Sequence, residues 1–260
     1  MLLHMLHQLP DLGILAIVLV AITGLAMLAP YIGRHVLRLS RNDERDNAAF
    51  DGYKAIMSMI GVVLAFSLVQ ANNNLHEVDG TVAKEAAATS STDRVLLRIG
   101  KPEFAALRPA LAKFGQSVIT DEWPLLANGA RSQLTEDAYT ALSRGVRAIS
   151  PDDARQQSMY GELLKDIDDV SDFREQIIAD ADYALPEFFW VTTTGLLVVA
   201  FVLAGLTSCE LGRTVGVGAP AAAVALLLAF VMIVDLPFEG QTSVSPRAIQ
   251  AALTINAHRQ

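Results

Sequence analysis

Polar and apolar positions in this chain fall into long blocks. Leu12–Ala29 is apolar apart from Thr23 and two glycines, and Ala55–Ala71 carries only Ser58, Ser67 and Gln70 as polar side chains. Phe188–Leu206 and Val217–Val234 hold no charge. A membrane-spanning helix needs about 20 such residues, so the pattern predicts four transmembrane helices, two toward each end. No Lys or Arg precedes the first block and Arg34, Arg38 and Arg41 follow it, as for a retained helix rather than a cleaved signal peptide.

Between the second and third blocks the period changes to a helical 3–4. Pro102 opens a run with Phe104, Leu107, Leu111, Phe114 and Val118 on one face. Pro109 should restart that helix, and the sequence DEWP should close it at Pro124. Thr135 is expected to cap a helix carrying Ala138, Leu142, Val146 and Ile149. Ser150 and Pro151 are expected at the N-cap and first position of another, with Met159, Leu163, Ile167, Val170 and Ile177, running to about Tyr183. No stretch alternates with period two. The predicted fold is all-α: transmembrane helices and their connecting loop over 1–72, a helical extramembrane block over 73–187, two more transmembrane helices over 188–236, and a tail over 237–260 with a short helix at Ser245-Pro246.

The second apolar block does not end like an ordinary span. Ile56, Ile60, Val63, Ser67, Gln70 and Asn74 follow each other at 4, 3, 4, 3 and 4, one helix face that is apolar first and polar later. Polar groups at membrane depth need partners. The face is therefore either a seam against another helix, with Ser67 and Gln70 as hydrogen-bonders, or the wall of a watery axis, with Ile56, Ile60 and Val63 as a constriction. Helical spacing survives Asn72–Asn74 and continues through Val78, Val82, Glu85, Ala86 and Thr89, predicting one helix as far as Leu96 or Leu97. Glu85 falls on or near the apolar stripe, either to pair with an arginine of a neighbouring helix or to handle a proton or cation.

Composition agrees with a multi-span membrane protein: 52% of the 260 residues are hydrophobic and mean hydropathy is positive. The 73–187 block holds 12 Lys+Arg against 20 Asp+Glu, the whole formal charge of −8, which excludes a nucleic-acid binder. Arg34, Arg38, Arg41 and Arg45 repeat at 4, 3, 4 beside the membrane, as a topology determinant or an anionic-lipid contact. Counting basic residues puts their loop in the cytoplasm and the helical block outside.

Candidate chemistry is sparse. The single cysteine, Cys209, excludes an intrachain disulfide and a cysteine metal cluster. His4 and His7 form the one close histidine pair, read as terminus rather than metal site. There is no phosphate loop, no nucleophile elbow and no paired metal-ligand signature, so no enzyme, metal or cofactor is expected. An enzymatic reading would require Glu85, Glu122 and an arginine to converge in a cleft. GVGAPAAAVA, from Gly216, should let helices approach closely.

Several stretches in order resemble the bestrophin-like family of bacterial membrane proteins, a domain catalogued as being of unknown function. They are IGVVLAFSLVQA leading into VAKEAAAT, then DEWP, then Trp190 at the start of the third span, then DLPFEG and VSP after the fourth. The positions carried over are Val82, Glu85, Ala86, Glu122, Trp123, Trp190, Asp235, Pro237, Phe238 and Gly240. Bestrophins are pentameric anion channels with four membrane helices per subunit, a second span lining the pore and a cytoplasmic helical block. The resemblance thus implies a homo-oligomer, a pentamer, in a bacterial inner membrane, with small ions as partners. The leading expectation is an oligomeric, channel-like protein whose second helix surrounds the axis. The alternative is a membrane-anchored sensor or assembly protein whose acidic block binds a partner.

Overall fold

The computed structural model describes residues 10–36, 43–181 and 184–259. His4, His7, Arg38, Arg41 and Tyr183 lie outside the described residues. Those described form an all-α fold: α1 (Asp11–Val36), α2 (Asp43–Ile99), α3 (Pro102–Ala105), α4 (Arg108–Ser117), a π turn (Val118–Glu122), α5 (Trp123–Leu126), α6 (Gln133–Arg147), α7 (Ala154–Ala181), α8 (Glu187–Gly205), α9 (Leu211–Val234) and α10 (Arg247–His258). Four helices, α1, α2, α8 and α9, are long and apolar enough to cross a membrane. They flank the helical block, two on each side in sequence. The chain divides into two compact units, Met1–Asn73 with Ala184–Thr242, and Asn74–Tyr183 with Ser243–Gln260.

In the first unit α1 packs on α8 and α9. Glycines set how closely. A methyl at Gly33 would collide with the carbonyl of Gly205, so α1 and α8 meet backbone to backbone. The small residues of α9 act similarly: a Cβ at Gly218 would sit 3.0 Å from Met27 Cγ, and one at Gly216 2.9 Å from the Phe50 ring. Tyr53, fully buried on α2, donates its hydroxyl to the Val217 carbonyl at 2.6 Å. Pro220, with no N–H, leaves the adjacent Gly216 carbonyl without its helical donor. Phe66, Val20, Phe188 and Leu211 point outward, more than two-thirds exposed. That is costly in water and appropriate to helices solvated by lipid.

The second unit is organised by antiparallel pairing of α7 with the later part of α2. Glu77 lies near Asp180, Lys84 over the Phe173 ring, Ser91 against Asp166, and Arg98 against Glu162. Val78, Val82, Leu96, Leu163, Ile167, Val170 and Ile177 are buried in this unit. α4 packs on α6 and on α10, where Leu253 covers Gly115. Arg108 ties α10 down, bonding Asp93 at 2.7 Å and the carbonyls of Asn256 and Arg259 at 2.7 and 2.9 Å.

Three local expectations are corrected. Ser132, not Thr135, is the N-cap of α6: its Oγ accepts from the Thr135 amide at 3.3 Å, while the Thr135 hydroxyl is taken up by the Ser117 carbonyl. α7 starts at Ala154, because the Asp153 carboxylate accepts from the Gln156 amide at 2.8 Å and outcompetes Ser150 for the helix end. Pro124 does not close a helix. It occupies the first turn of α5, where its missing N–H is tolerated. Pro109 does restart the chain, in the first turn of α4.

Candidate functional site

Two groups of residues carry chemistry, one on α2 within the first unit and one in the core of the second.

α2 is a single helix of 57 residues, unbroken through Asn72–Asn74. Its buried face within the first unit is Tyr53, Met57, Ile60, Leu64 and Ala71, a 4, 3, 4, 7 stripe. Ile60 is only 1% exposed and packs inside its own subunit. Ile56, Val63 and Ser67 are half-buried at the edge of this stripe, and Gln70 is exposed. The Ser67 hydroxyl donates to the Val63 carbonyl at 3.0 Å, so its hydrogen bond is made within its own helix. Asn74, half-buried, opens the second unit. Exposed apolar side chains Met59, Val62, Phe66 and Val69 occupy another side of the helix.

Arg34 ends α1, exposed, and Arg45 begins α2, half-buried beside Asp46 at 3.3 Å. The two belong to different helices. Asp235, at the C-terminal end of α9, is 6% exposed and accepts from the Leu185 amide at 2.8 Å, fixing the approach to α8. Pro237 behind it is buried and Phe238 half-buried. Gly240 has φ of 77°, which explains a glycine there. Trp190 is half-buried and meets Phe189 edge-on at 5.1 Å.

In the second unit α2, the π turn and α7 bring Glu85, Glu122 and Arg174 together, respectively 2%, 2% and 3% exposed. The π turn delivers Glu122. Pro124 cannot supply an N–H to the Thr120 carbonyl, and the helix widens by one residue just before it. Arg174 donates from Nε to Glu122 Oε2 at 2.8 Å and from Nη2 to Oε1 at 2.7 Å, a bidentate pair. Its Nη1 donates to Glu136 Oε2 at 2.8 Å. The Ser132 amide adds a longer bond to Glu122 Oε1, 3.4 Å. Burial disfavours the charge of Arg174, but its bonds to Glu122 and Glu136 outweigh that and hold it protonated.

Glu85 is different. Among the described residues it makes no ion pair, since Arg174 is given to Glu122 and Glu136. Burial, then the negative charge of Glu122, raise its carboxyl to about 8, with Arg174 pulling the other way. Glu85 lies in the extramembrane part of α2, beyond the apolar stretch 55–71. The three groups converge as an enzymatic reading would require, but in a packed core rather than a cleft. Ala86 and Val82, buried beside Glu85, line the same face of α2, while Trp123 is half-buried next to Glu122. No motif marks Arg174 or Glu136 in the sequence. A signal for Arg174 was present: it fills the gap between Val170 and Ile177 in the apolar stripe of α7, the wrong place for an unpartnered charge.

A family model for the Bestrophin-like domain matches residues 20–249. Among solved structures the chain is similar to a crystal structure of a bacterial bestrophin homolog from Klebsiella pneumoniae, at 12% identity and a TM-score of 0.68, covering 94% of this chain and 99% of that one. A single-substitution variant of that homolog gives 11% identity and a TM-score of 0.66 over the same shares. A crystal structure of another membrane protein variant gives 10% identity and 0.66, again over 94% and 99%. No curated protein matches.

Proposed function

Since this chain belongs to the bestrophin-like family, we propose that it forms an oligomeric, channel-like protein of the bacterial inner membrane, with α2 of each subunit lining the axis. The bestrophins that the family resembles are channels rather than catalysts. The observation that carries the reading is the edge of α2. Ile56, Val63, Ser67 and Gln70 keep exposure beside a stripe that the subunit buries for itself. An exposed amide at membrane depth is costly against lipid and stable against water or a neighbouring subunit. Ile56 and Val63 then form the narrow apolar part, Gln70 and Asn74 the polar mouth, and Ile60 supports the wall from behind.

Recording from the purified protein in planar bilayers tests conduction, and its mass in lipid nanodiscs tests assembly. A monomer, or an oligomer that passes no ions and takes up none from labelled vesicles, would sink this reading and favour a membrane-anchored protein whose acidic block binds a partner. The arginine count favours an external helical block. Ser132 is buried, so the site for labelling is exposed Ser158 as cysteine, in a Cys209→Ser background. Labelling only after permeabilisation would put the block inside.

A further inference from the structure

We propose that Glu85 is a proton-binding site of the extramembrane unit: held neutral where Glu122 and Arg174 meet, it lets α2 pack on α7, and loss of its proton loosens that packing.

One buried guanidinium, Arg174, already faces two carboxylates, bidentate to Glu122 and singly to Glu136. An ionised Glu85 would be a third negative group beside one positive group, at 2% exposure. A buried carboxylate without its own donor neutralises instead. The groups facing Glu85 are Glu122 from the π turn and Arg174 from α7. Glu136 of α6 acts through Arg174, and beyond it Arg131 and Glu175 pair at the surface. On α2 itself the Lys84 ammonium lies over the Phe173 ring, 6.0 Å from its centre.

The neighbours decide what the proton controls. Val82 and Ala86 of α2 are buried around Glu85, and Val170 and Ile177 flank Arg174. Charging Glu85 therefore forces either water into this seam or the helices apart. The range in which this occurs lies just above neutral, where the carboxyl titrates near 8. The proposal does not depend on whether the protein conducts ions.

Infrared difference spectroscopy on the full chain in nanodiscs, titrated from about pH 5 to about pH 10, reads protonated carboxyls directly. A protonated-acid band lost near the Glu85 midpoint and missing in Glu85→Gln is expected. Asp166 and Asp180 are raised as well, so the assignment rests on the loss in that variant. Hydrogen exchange over 73–99, corrected for intrinsic rates, should accelerate at least about tenfold across the same midpoint in the native chain and stay flat in Glu85→Gln. Identical bands in the two proteins would overturn the proposal, as would unchanged protection while the band disappears. So would a Glu85→Gln protein that fails to fold at neutral pH, because a neutral isostere should be accepted there.

Discussion

Glu122 gives both of its oxygens to Arg174, at 2.8 and 2.7 Å, across a separation of 52 residues and with both side chains almost fully buried. Removing Arg174 leaves Glu122 as an uncompensated buried charge, and removing Glu122 leaves Arg174 with Glu136 as its remaining ion pair. Arg174→Met should cost about 3–5 kcal/mol and Glu122→Leu less, because Glu136 still faces the arginine, while the double variant should cost less than the sum of the two. Denaturant unfolding of the single and double variants in a mutant cycle measures this, and additive losses would contradict the pairing.

Stability should fall as pH rises. The Glu85 carboxyl is raised in the folded state, so between the ordinary carboxylate range and about 8 the folded chain binds a proton that the unfolded chain has lost. Its contribution is complete below the unfolded pKa and is gone above the folded one, declining by up to about 1.4 kcal/mol per pH unit in between. Thermal unfolding followed across this range should show the slope in the native protein and a shallower one in Glu85→Gln.

The α1–α8 crossing should be intolerant of one methyl group. Gly33→Ala drives a Cβ into the Gly205 carbonyl and should destabilise by about 1–3 kcal/mol or more. Gly24→Ala meets nothing within 4 Å and should be neutral or gain up to about 1 kcal/mol. The melting temperatures of the two purified variants make the comparison.

Core and wall residues of α2 should separate by phenotype. Ile60→Ala opens a cavity inside the subunit and should cost about 2–5 kcal/mol. Val63→Thr, at a half-buried position, should leave stability within about 1 kcal/mol and change single-channel conductance. A Val63→Thr channel indistinguishable from the native one would remove that residue from the wall.

Much of the architecture was legible because membranes and helices impose simple rules. The apolar blocks became α1, the early part of α2, α8 and α9, and the absence of any helix breaker at Asn72–Asn74 became a continuous α2. Helix starts were less legible where several candidates compete within three residues. Ser150 and Thr135 are good caps in isolation, and the choice fell to Asp153 and Ser132, which make the same kind of bond to the amide three residues on. The stripe on α2 was also only partly readable. A 3–4 spacing admits two adjacent faces, and packing of Tyr53, Met57 and Leu64 selected which one the subunit buries, taking Ile60 with it. The Glu122–Arg174 pair depends on a long-range meeting that a single chain of letters does not display.

The π turn at Val118–Glu122 makes that pair depend on backbone winding as much as on residue type. Each residue of an α-helix advances the next by about 100°. The same five residues wound as a regular α-helix would carry Glu122 further round the axis than the wider turn does, away from Arg174 with every side chain intact. Sequences of this architecture that keep both charges and this chain length but wind the stretch as a regular α-helix would have to neutralise the arginine from another direction.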